Sequence, residues 1–465
     1  MADDGIKKLK ESLYTQKTSA WARADHKAVE QLAGDYMTFL PEAKTERSAS
    51  REIVRRLEQA GFRDVTRAKS VQRGDRLYIH YRHKAVLGIV IGEHYDSVRI
   101  IGSHLDSPRL DLKPSAISES KSLAYFKTHY YGGVKKYQWT NTDLALHGVI
   151  HTTEGEPRTF ALGEAQGEPR FLVSDLLPHL AQKQLEKNGK ELVEAEQLCA
   201  YAMHIPHPLE GDESSVKLAL LTHLNETYGL VEDDFSYAEL SLVPAGGPSE
   251  IGFDKALIAS YGHDDKVCAY TSLIALIETE DPQHTAVALW IDKEEIGSDG
   301  DTGAQSFALA RMLEQVYDHI EGDHDVMRIL HDARALSADV TAAYDANFPD
   351  VHDETIAPHL GRGIVLEKYT GSGGKYSAND ASAEYLNDVR HVMNAAGVSL
   401  QASGGLGKVD LGGGGTIAKF LSRYGVLTVD AGPAVLGMHA PREILSKVDL
   451  YETYRAYKAF WNVGG

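Results

Sequence analysis

Thr285-Ala-Val-Ala-Leu-Trp-Ile291 runs directly into Asp292-Lys-Glu294-Glu295-Ile-Gly-Ser298. The apolar part is continuous rather than alternating, which is how a strand buried on both faces of a parallel sheet reads. The acids that follow then fall in the loop at the strand's carboxyl end, where open α/β sheets collect their ligands. Two consecutive glutamates facing one cavity repel each other. The pair is tolerable where a cation neutralises one and the other handles a proton. Taken alone, the stretch reads equally well as a solvated acidic loop.

Strand and helix patterns alternate on either side of it. Lys266 to Glu278 has helical spacing, as do Gly303 to His319 and Ala381 to Ala396. Arg334 to Val340 is short and strand-like. Ser399 to Ala402 and Gly425 to Val429 read as strands, with a glycine-rich turn and a helix between them, and Leu445 to Trp461 as a terminal helix. Upstream, Ala24 to Ala60 is helical and stops at Gly61. Strands follow at Arg76 to His83, Val86 to Ile91 and Arg99 to Ser103. Between these halves, residues from about Lys113 to Gly247 are rich in Tyr, Gly, Thr and short alternating runs. One stretch there, Ser174 to Asn188, is helix-like, and Pro244-Ala-Gly-Gly-Pro closes the region as a linker. The expected architecture is a mixed α/β sheet sandwiched by helices, split in sequence. Residues 1–112 and 251–465 form the α/β domain, and 113–250 form a β-rich insertion.

Composition narrows the function classes. Of 465 residues, 43% are hydrophobic and 25% charged, an ordinary globular make-up. The net charge of −19 excludes the basic footprint of a nucleic-acid surface. Cys199 and Cys268 are the only cysteines, too few for a disulfide framework in a chain this long. The start, MADDGIKKLKESL, lacks the apolar core of a secretory leader. Apolar runs such as Lys84-Ala-Val-Leu-Gly-Ile-Val-Ile-Gly are too short to span a bilayer. A cytoplasmic protein without nucleic-acid or membrane partners is expected.

Further chemistry-bearing loops lie at other strand ends. In Gly102-Ser-His104-Leu-Asp106-Ser-Pro, the Asp can accept the second ring N–H of a ligating His. His263-Asp264-Asp265-Lys266 opens a helix, where acids are common as caps. Leu336-Ser-Ala-Asp339 and Gly437-Met-His439 complete the set. Together they supply two histidines, His104 and His439, and four carboxylates, Asp264, Glu294, Glu295 and Asp339. That nitrogen-and-oxygen set suits zinc, with manganese or cobalt as substitutes. The glycine runs Gly404-Gly-Leu-Gly and Gly412-Gly-Gly-Gly-Thr lack a phosphate-loop Lys-Ser/Thr. No Gly-x-Ser-x-Gly elbow is present, which argues against a serine hydrolase.

In these motifs the sequence resembles the aspartyl aminopeptidase and aminopeptidase I family of dinuclear zinc metallopeptidases. The resemblance takes in Lys44-Thr-Glu-Arg, His104-Leu-Asp-Ser-Pro, Tyr131-Gly-Gly, Asp143-Leu, Asp264-Asp265, Glu294-Glu295-Ile-Gly-Ser, Ser337-Ala-Asp, Gly-Gly-Gly-Thr and Met438-His439, in order along nearly the whole chain. It implies two Zn²⁺ per subunit. His104, Asp264 and Asp339 would bind one, and Asp264, Glu295 and His439 the other, with Asp264 bridging. It further implies Glu294 as general base, Asp106 as the group orienting His104, and a cis peptide at Asp264–Asp265. The implied activity is hydrolysis of the N-terminal residue of peptides, by a metal-activated water. Implied too are a dodecamer with dimers formed through the insertion, His179 reaching a neighbour's active site, and Lys375 meeting an acidic substrate side chain. Two positions depart from the family pattern: Asp265, where Asn is frequent, and Asp345-Ala-Asn-Phe, where His-Pro-Asn-Tyr/Phe is frequent. They leave open a preference for acidic or for neutral, Leu-type residues. Related two-metal deacylases and a non-catalytic self-assembling shell are the rival readings; the filled ligand positions disfavour the shell.

Overall fold

The computed structural model describes residues 6, 9, 10, 12–14, 18–152, 155, 157–208 and 215–463. Its centre is the strand His284–Ile291, and the reason is visible in its side chains. Ala286, Ala288 and Trp290 enter one apolar core, and Val287, Leu289 and Ile291 enter another. Both faces are therefore buried, which accounts for the continuous apolar run. The first core packs the sheet against the helices His26–Glu42, Glu46–Gln59, His263–Ile277, Ala383–Ala395 and Lys447–Trp461. The second packs it against Ala308–Tyr317 and Val326–Asp332. Trp290 is further fixed by its indole N–H, which donates to Ala269 O at 3.1 Å and Ser272 Oγ at 3.0 Å.

The main sheet is nine-stranded and mixed. His284–Ile291 lies parallel to His94–His104, which lies parallel to Arg334–Ser337, which lies parallel to Leu427–Gly432. Ala85–Val90 and Ile364–Glu367 join antiparallel on either side. Register decides where the chemistry goes. Ile291 pairs with His104, and Ser337 with both Gly102 and Asp430. Parallel strands that end level deliver the loops bearing Glu294, Glu295, His104 and Asp339 to one edge.

A second, six-stranded antiparallel sheet forms the insertion, with its own core around Phe126, Trp139 and Leu242. Its strand Arg109–Ser120 starts ahead of the expected boundary at 113, because the chain passes from the His104 loop straight into that sheet. A small five-stranded sheet, carrying Glu443–Ser446 and Leu257–Ser260, had no counterpart in the sequence reading. Its strands are too short to show periodicity.

Local differences have local causes. The helix expected over Ser174 to Asn188 is reduced to a 3₁₀ turn at Pro178–Leu180 and the single turn Gln182–Leu185. Pro178 lacks an N–H and disfavours helix in the residue before it. The insertion's long helix is instead Ser215–Tyr228, which buries Val216, Leu220 and Leu224. The helix expected from Gly303 starts only at Ala308. Residue 303 packs against the preceding turn so closely that a Cβ there would lie 2.2 Å from Ser298 O. Among the described residues, no helix is long and apolar enough to cross a membrane.

Candidate active site

His104 ends its strand and is buried, and Asp106 is fully buried beside it. His104 Nδ1 lies 3.0 Å from Asp106 O and 3.3 Å from Asp106 Oδ1. A carbonyl only accepts, so Nδ1 carries the hydrogen and Nε2 presents its lone pair. The Asp106 carboxylate does more than orient this ring. Its Oδ1 accepts the backbone N–H of Glu294 at 3.1 Å, and its Oδ2 that of Glu295, also at 3.1 Å. Oδ2 also accepts the Tyr131 hydroxyl at 2.8 Å. One carboxylate thus ties the His104 loop to the turn bearing both glutamates.

Asp264 stands between the two histidines. Its Oδ1 lies 3.1 Å from His104 Nε2 and its Oδ2 lies 3.2 Å from His439 Nε2. The Asp264–Asp265 peptide is cis, as the resemblance implied. Glu295 Oε2 is 3.3 Å from His439 Nε2, and Asp339 Oδ1 is 3.8 Å from His104 Nε2. His439 Nδ1 donates to Gly133 O at 2.8 Å, so its Nε2 lone pair also faces the acids. Donor atoms of His104, Asp264 and Glu295 lie within 4.8 Å of one another, as do those of His104, Glu294 and Asp339. All six expected positions therefore meet in one cluster, although these triples cut across the grouping that the resemblance implied.

The electrostatics are those of a cation site. Burial pushes Glu294 up to about 7, and the nearby charges of Asp106 and Asp264 add to it. Burial, reinforced by Asp264, likewise holds the Glu295 carboxyl well above the carboxylate range, and Asp339 is raised for the same reasons. Burial alone would raise Asp106 too, but hydrogen bonds from His104 and Tyr131 outweigh it and bring Asp106 to about 2. Burial opposes a charge on His439, yet Asp264 and Glu295 raise it to about 10. Imidazole lone pairs aimed at carboxylates are stable only with a proton or a metal ion between them. Glu295 Oε1 is buried without a hydrogen-bond partner. Two nitrogens and four carboxylates with an orphaned oxygen fit zinc's donor preferences.

Two contributors escaped the sequence reading, and a third was legible only as a motif. Glu443, buried, accepts the backbone N–H of Asp264 at 3.0 Å and that of His439 at 2.7 Å. Ser107 Oγ donates to Asp264 O at 2.6 Å and accepts from the buried Lys266 ammonium at 2.5 Å. The Tyr131-Gly-Gly motif was noted but not explained. Tyr131 braces Asp106, a Cβ on Gly133 would lie 3.1 Å from His439 Nδ1, and one on Gly132, whose φ is +74°, would lie 3.3 Å from Glu295. Its spacing gave a signal; Glu443, four residues after a histidine, gave none.

Asp264, Glu294, Glu295, Asp339 and His439 line a cavity of about 490 Å³, whose wall also includes Gln305, Leu406, Lys419 and Phe420. Lys375 is not brought to this wall. Its ammonium sits 3.0 Å from Asp380 Oδ2 and 4.0 Å from the centre of the Tyr369 ring. His179 is exposed on the insertion and is not among the cavity-lining residues.

Known proteins are similar to this chain over nearly its whole length. Residues 39–461 match the profile of the aminopeptidase I zinc metalloproteases, M18. The crystal structure of an M18 aminopeptidase from Thermotoga maritima is 41% identical, covering 96% of this chain and 99% of that one, with a TM-score of 0.93. A probable M18 family aminopeptidase 1 from Clostridium acetobutylicum is 40% identical over 97% of this chain and 99% of its own length. The S. cerevisiae mApe1 dodecamer, 20% identical over 93% of this chain and 96% of that one, shares the fold with a TM-score of 0.73. The cluster at the strand ends and the match along almost the whole chain lead to one conclusion: the chain belongs to the M18 family of zinc metalloproteases and is a zinc-dependent aminopeptidase.

Proposed function

We propose that the enzyme works with two zinc ions, for which manganese or cobalt can substitute, and with Glu294 as general base. The observation that carries this reading is Asp264, whose two oxygens face different histidines, 3.1 and 3.2 Å away. His104, Asp264 and Asp339 would hold one ion, and Asp264, Glu295 and His439 the other. Bound zinc supplies a Lewis acid that polarises the scissile carbonyl and eases deprotonation of water. The residues supply the rest. Asp106 and Gly133 O hold the two imidazoles with Nε2 forward. Glu294, left over by the two ligand sets, would take a proton from the water and return it to the leaving amine. Metal content per chain tests the count. Wild type should carry two ions, Asp264→Ala should lose both, and His439→Ala should lose one. A fully active enzyme with a single ion per chain would refute the two-ion reading.

The substrates in this reading are peptides with a free N-terminus, preferentially Asp or Glu. A neutral, Leu-type preference is the second reading, and the pairing of Lys375 with Asp380 favours it. The insertion, residues 113–250 in our division, is proposed to build a homo-oligomer, up to a dodecamer, with His179 reaching a neighbour's site. Supporting this, Leu176, Leu177, Leu180 and Leu185 around His179 are 54%, 49%, 68% and 69% exposed, an apolar group that a second copy would cover. A fully active monomer by light scattering would contradict it.

A further inference from the structure

The glycine run Gly412–Gly415 is held tightly rather than left as a free loop. Gly371 N donates to Gly414 O at 2.6 Å, and a Cβ on residue 413 would lie 2.6 Å from Ser372 Cβ. Thr416, next in sequence, donates to Asp430 Oδ1 at 2.5 Å. The turn therefore fixes where the short helix Ala418–Leu421 begins, and with it Lys419.

Lys419 is half-buried in the wall of the active-site cavity. Its ammonium lies 5.5 Å from the centre of the Phe420 ring, and it forms no ion pair among the described residues. Among the described lining residues it is the sole lysine or arginine. The other charged or titratable residues that line the cavity are acids and one histidine: Asp264, Glu294, Glu295, Asp339, Glu367 and His439. A substrate carboxylate entering this cavity away from the metal cluster meets repulsion except at Lys419. Lys375, by contrast, already has a carboxylate partner in Asp380.

We propose that Lys419 is a specificity-determining residue whose ammonium pairs with a carboxylate of the bound peptide. The proposal rests on the aminopeptidase activity and deepens the acidic-substrate reading. Two sources share the chemistry: the side chain of an N-terminal Asp or Glu, and the terminal carboxylate of a short peptide. Neither is satisfied by the metal cluster's own acids.

The test uses the zinc-loaded full chain. Lys419→Met keeps most of the apolar stem and removes the charge, and Lys419→Arg keeps the charge. Leucyl-aminomethylcoumarin bears no carboxylate and checks that each protein is active. Aspartyl-aminomethylcoumarin carries only the side-chain carboxylate. Leu-Ala and Leu-Ala-amide differ only in the terminal one. Lys419→Met should lower kcat/KM about 10-fold or more, mainly through KM, on the carboxylate-bearing member of at least one pair. Leucyl-coumarin cleavage should stay within about 3-fold, Lys419→Arg should restore the loss, and salt should erode the wild-type preference. Loss confined to the aspartyl substrate identifies the side chain, and loss confined to Leu-Ala identifies the terminus. Equal loss on all four substrates, or no loss on any, overturns the proposal. So does a wild type that cleaves leucyl-coumarin but neither carboxylate-bearing substrate. Failure of wild type on leucyl-coumarin would instead refute the activity beneath it.

Discussion

Replacing Glu443 by Gln should loosen the proposed metal site without touching any of its proposed ligands. Glu443 uses both carboxylate oxygens, one on the N–H of His439 at 2.7 Å and one on the N–H of Asp264 at 3.0 Å. An amide keeps one acceptor and turns an NH₂ toward the other N–H, so one backbone donor loses its partner in a buried place. Burial and then the charge of Asp264 push the Glu443 carboxyl up to about 8, so the loss is counted as a buried donor left unsatisfied, about 1–3 kcal/mol. At about 1.4 kcal/mol per decade, this corresponds to roughly 5- to 150-fold. Part of that would appear as lower global stability and part as looser placement of Asp264 and His439. Outer groups that orient metal ligands typically account for about 10–100-fold in metal affinity. The assay is zinc retention against a graded series of chelators, with thermal unfolding of the zinc-loaded protein in parallel. The Gln variant should release zinc at chelator strengths about 10-fold lower or more, and Glu443→Ala lower still. If the Gln variant kept zinc as wild type does and lost only melting temperature, Glu443 would be an ordinary buried acid and the clamping argument would fail.

Prolonged chelation should abolish aminopeptidase activity, and zinc, manganese or cobalt should restore it; full turnover by a verified metal-free sample would contradict the mechanism. Glu294→Gln should retain metal and lose about 10²- to 10⁴-fold in kcat, since an amide cannot carry the proton. Glu295→Gln should lower metal occupancy itself, and parallel losses in both variants would remove the distinction of roles. Away from the site, burial first and then neighbouring His83 hold His80 down at about 4 from the usual 6.5. The folded chain binds this proton less readily than the unfolded chain, so His80 makes stability fall as pH drops from 6.5 through about 4. Denaturant titrations at about pH 7 and about pH 5 should show a smaller pH difference for His80→Gln than for wild type; an unchanged difference would refute this.

Sequence exposed those parts of the site that combine a strand signal with a chemical signal. The run ending at Ile291 and the one ending at Ser103 each announced a buried strand, and each was followed within a few residues by His or acid. The longer helices of the sandwich were legible because their apolar faces repeat over several turns; Val326–Asp332, only seven residues long, was not read. Ser215–Tyr228 carried the same kind of repeat, at Val216, Leu220 and Leu224, inside a region whose composition reads as β. The five-stranded sheet was illegible for a different reason. Strands such as Thr341–Ala342 and Ala434–Leu436 exist because neighbouring chain segments already pass there, and no periodicity fits in so few residues. Lys375 illustrates the limit for exposed side chains. A glycine-flanked lysine says that a turn is present, and only the fold says that Asp380 is its nearest acid.

The clamps follow a common rule that neither composition nor motif contains. Asp106 accepts the N–H groups of Glu294 and Glu295, Glu443 those of Asp264 and His439, and Asp265 that of His104, at 3.3 Å for the last. Buried acids outside the metal cluster thus hold the main chain of five of its residues. This solves two problems at once. Each clamp is a buried carboxylate that needs donors, and backbone N–H groups are the donors that leave the side chains free to point into the cavity. These five residues are fixed at the main chain, and the two histidines at the ring Nδ1 as well, so their donor atoms hold position although their mutual charges oppose it. Clamps of this kind should keep the cluster in place with or without its cation, while burial and neighbouring Asp264 hold the Glu295 carboxyl well above the carboxylate range. It follows that removing zinc should change the chemistry of the site far more than its shape.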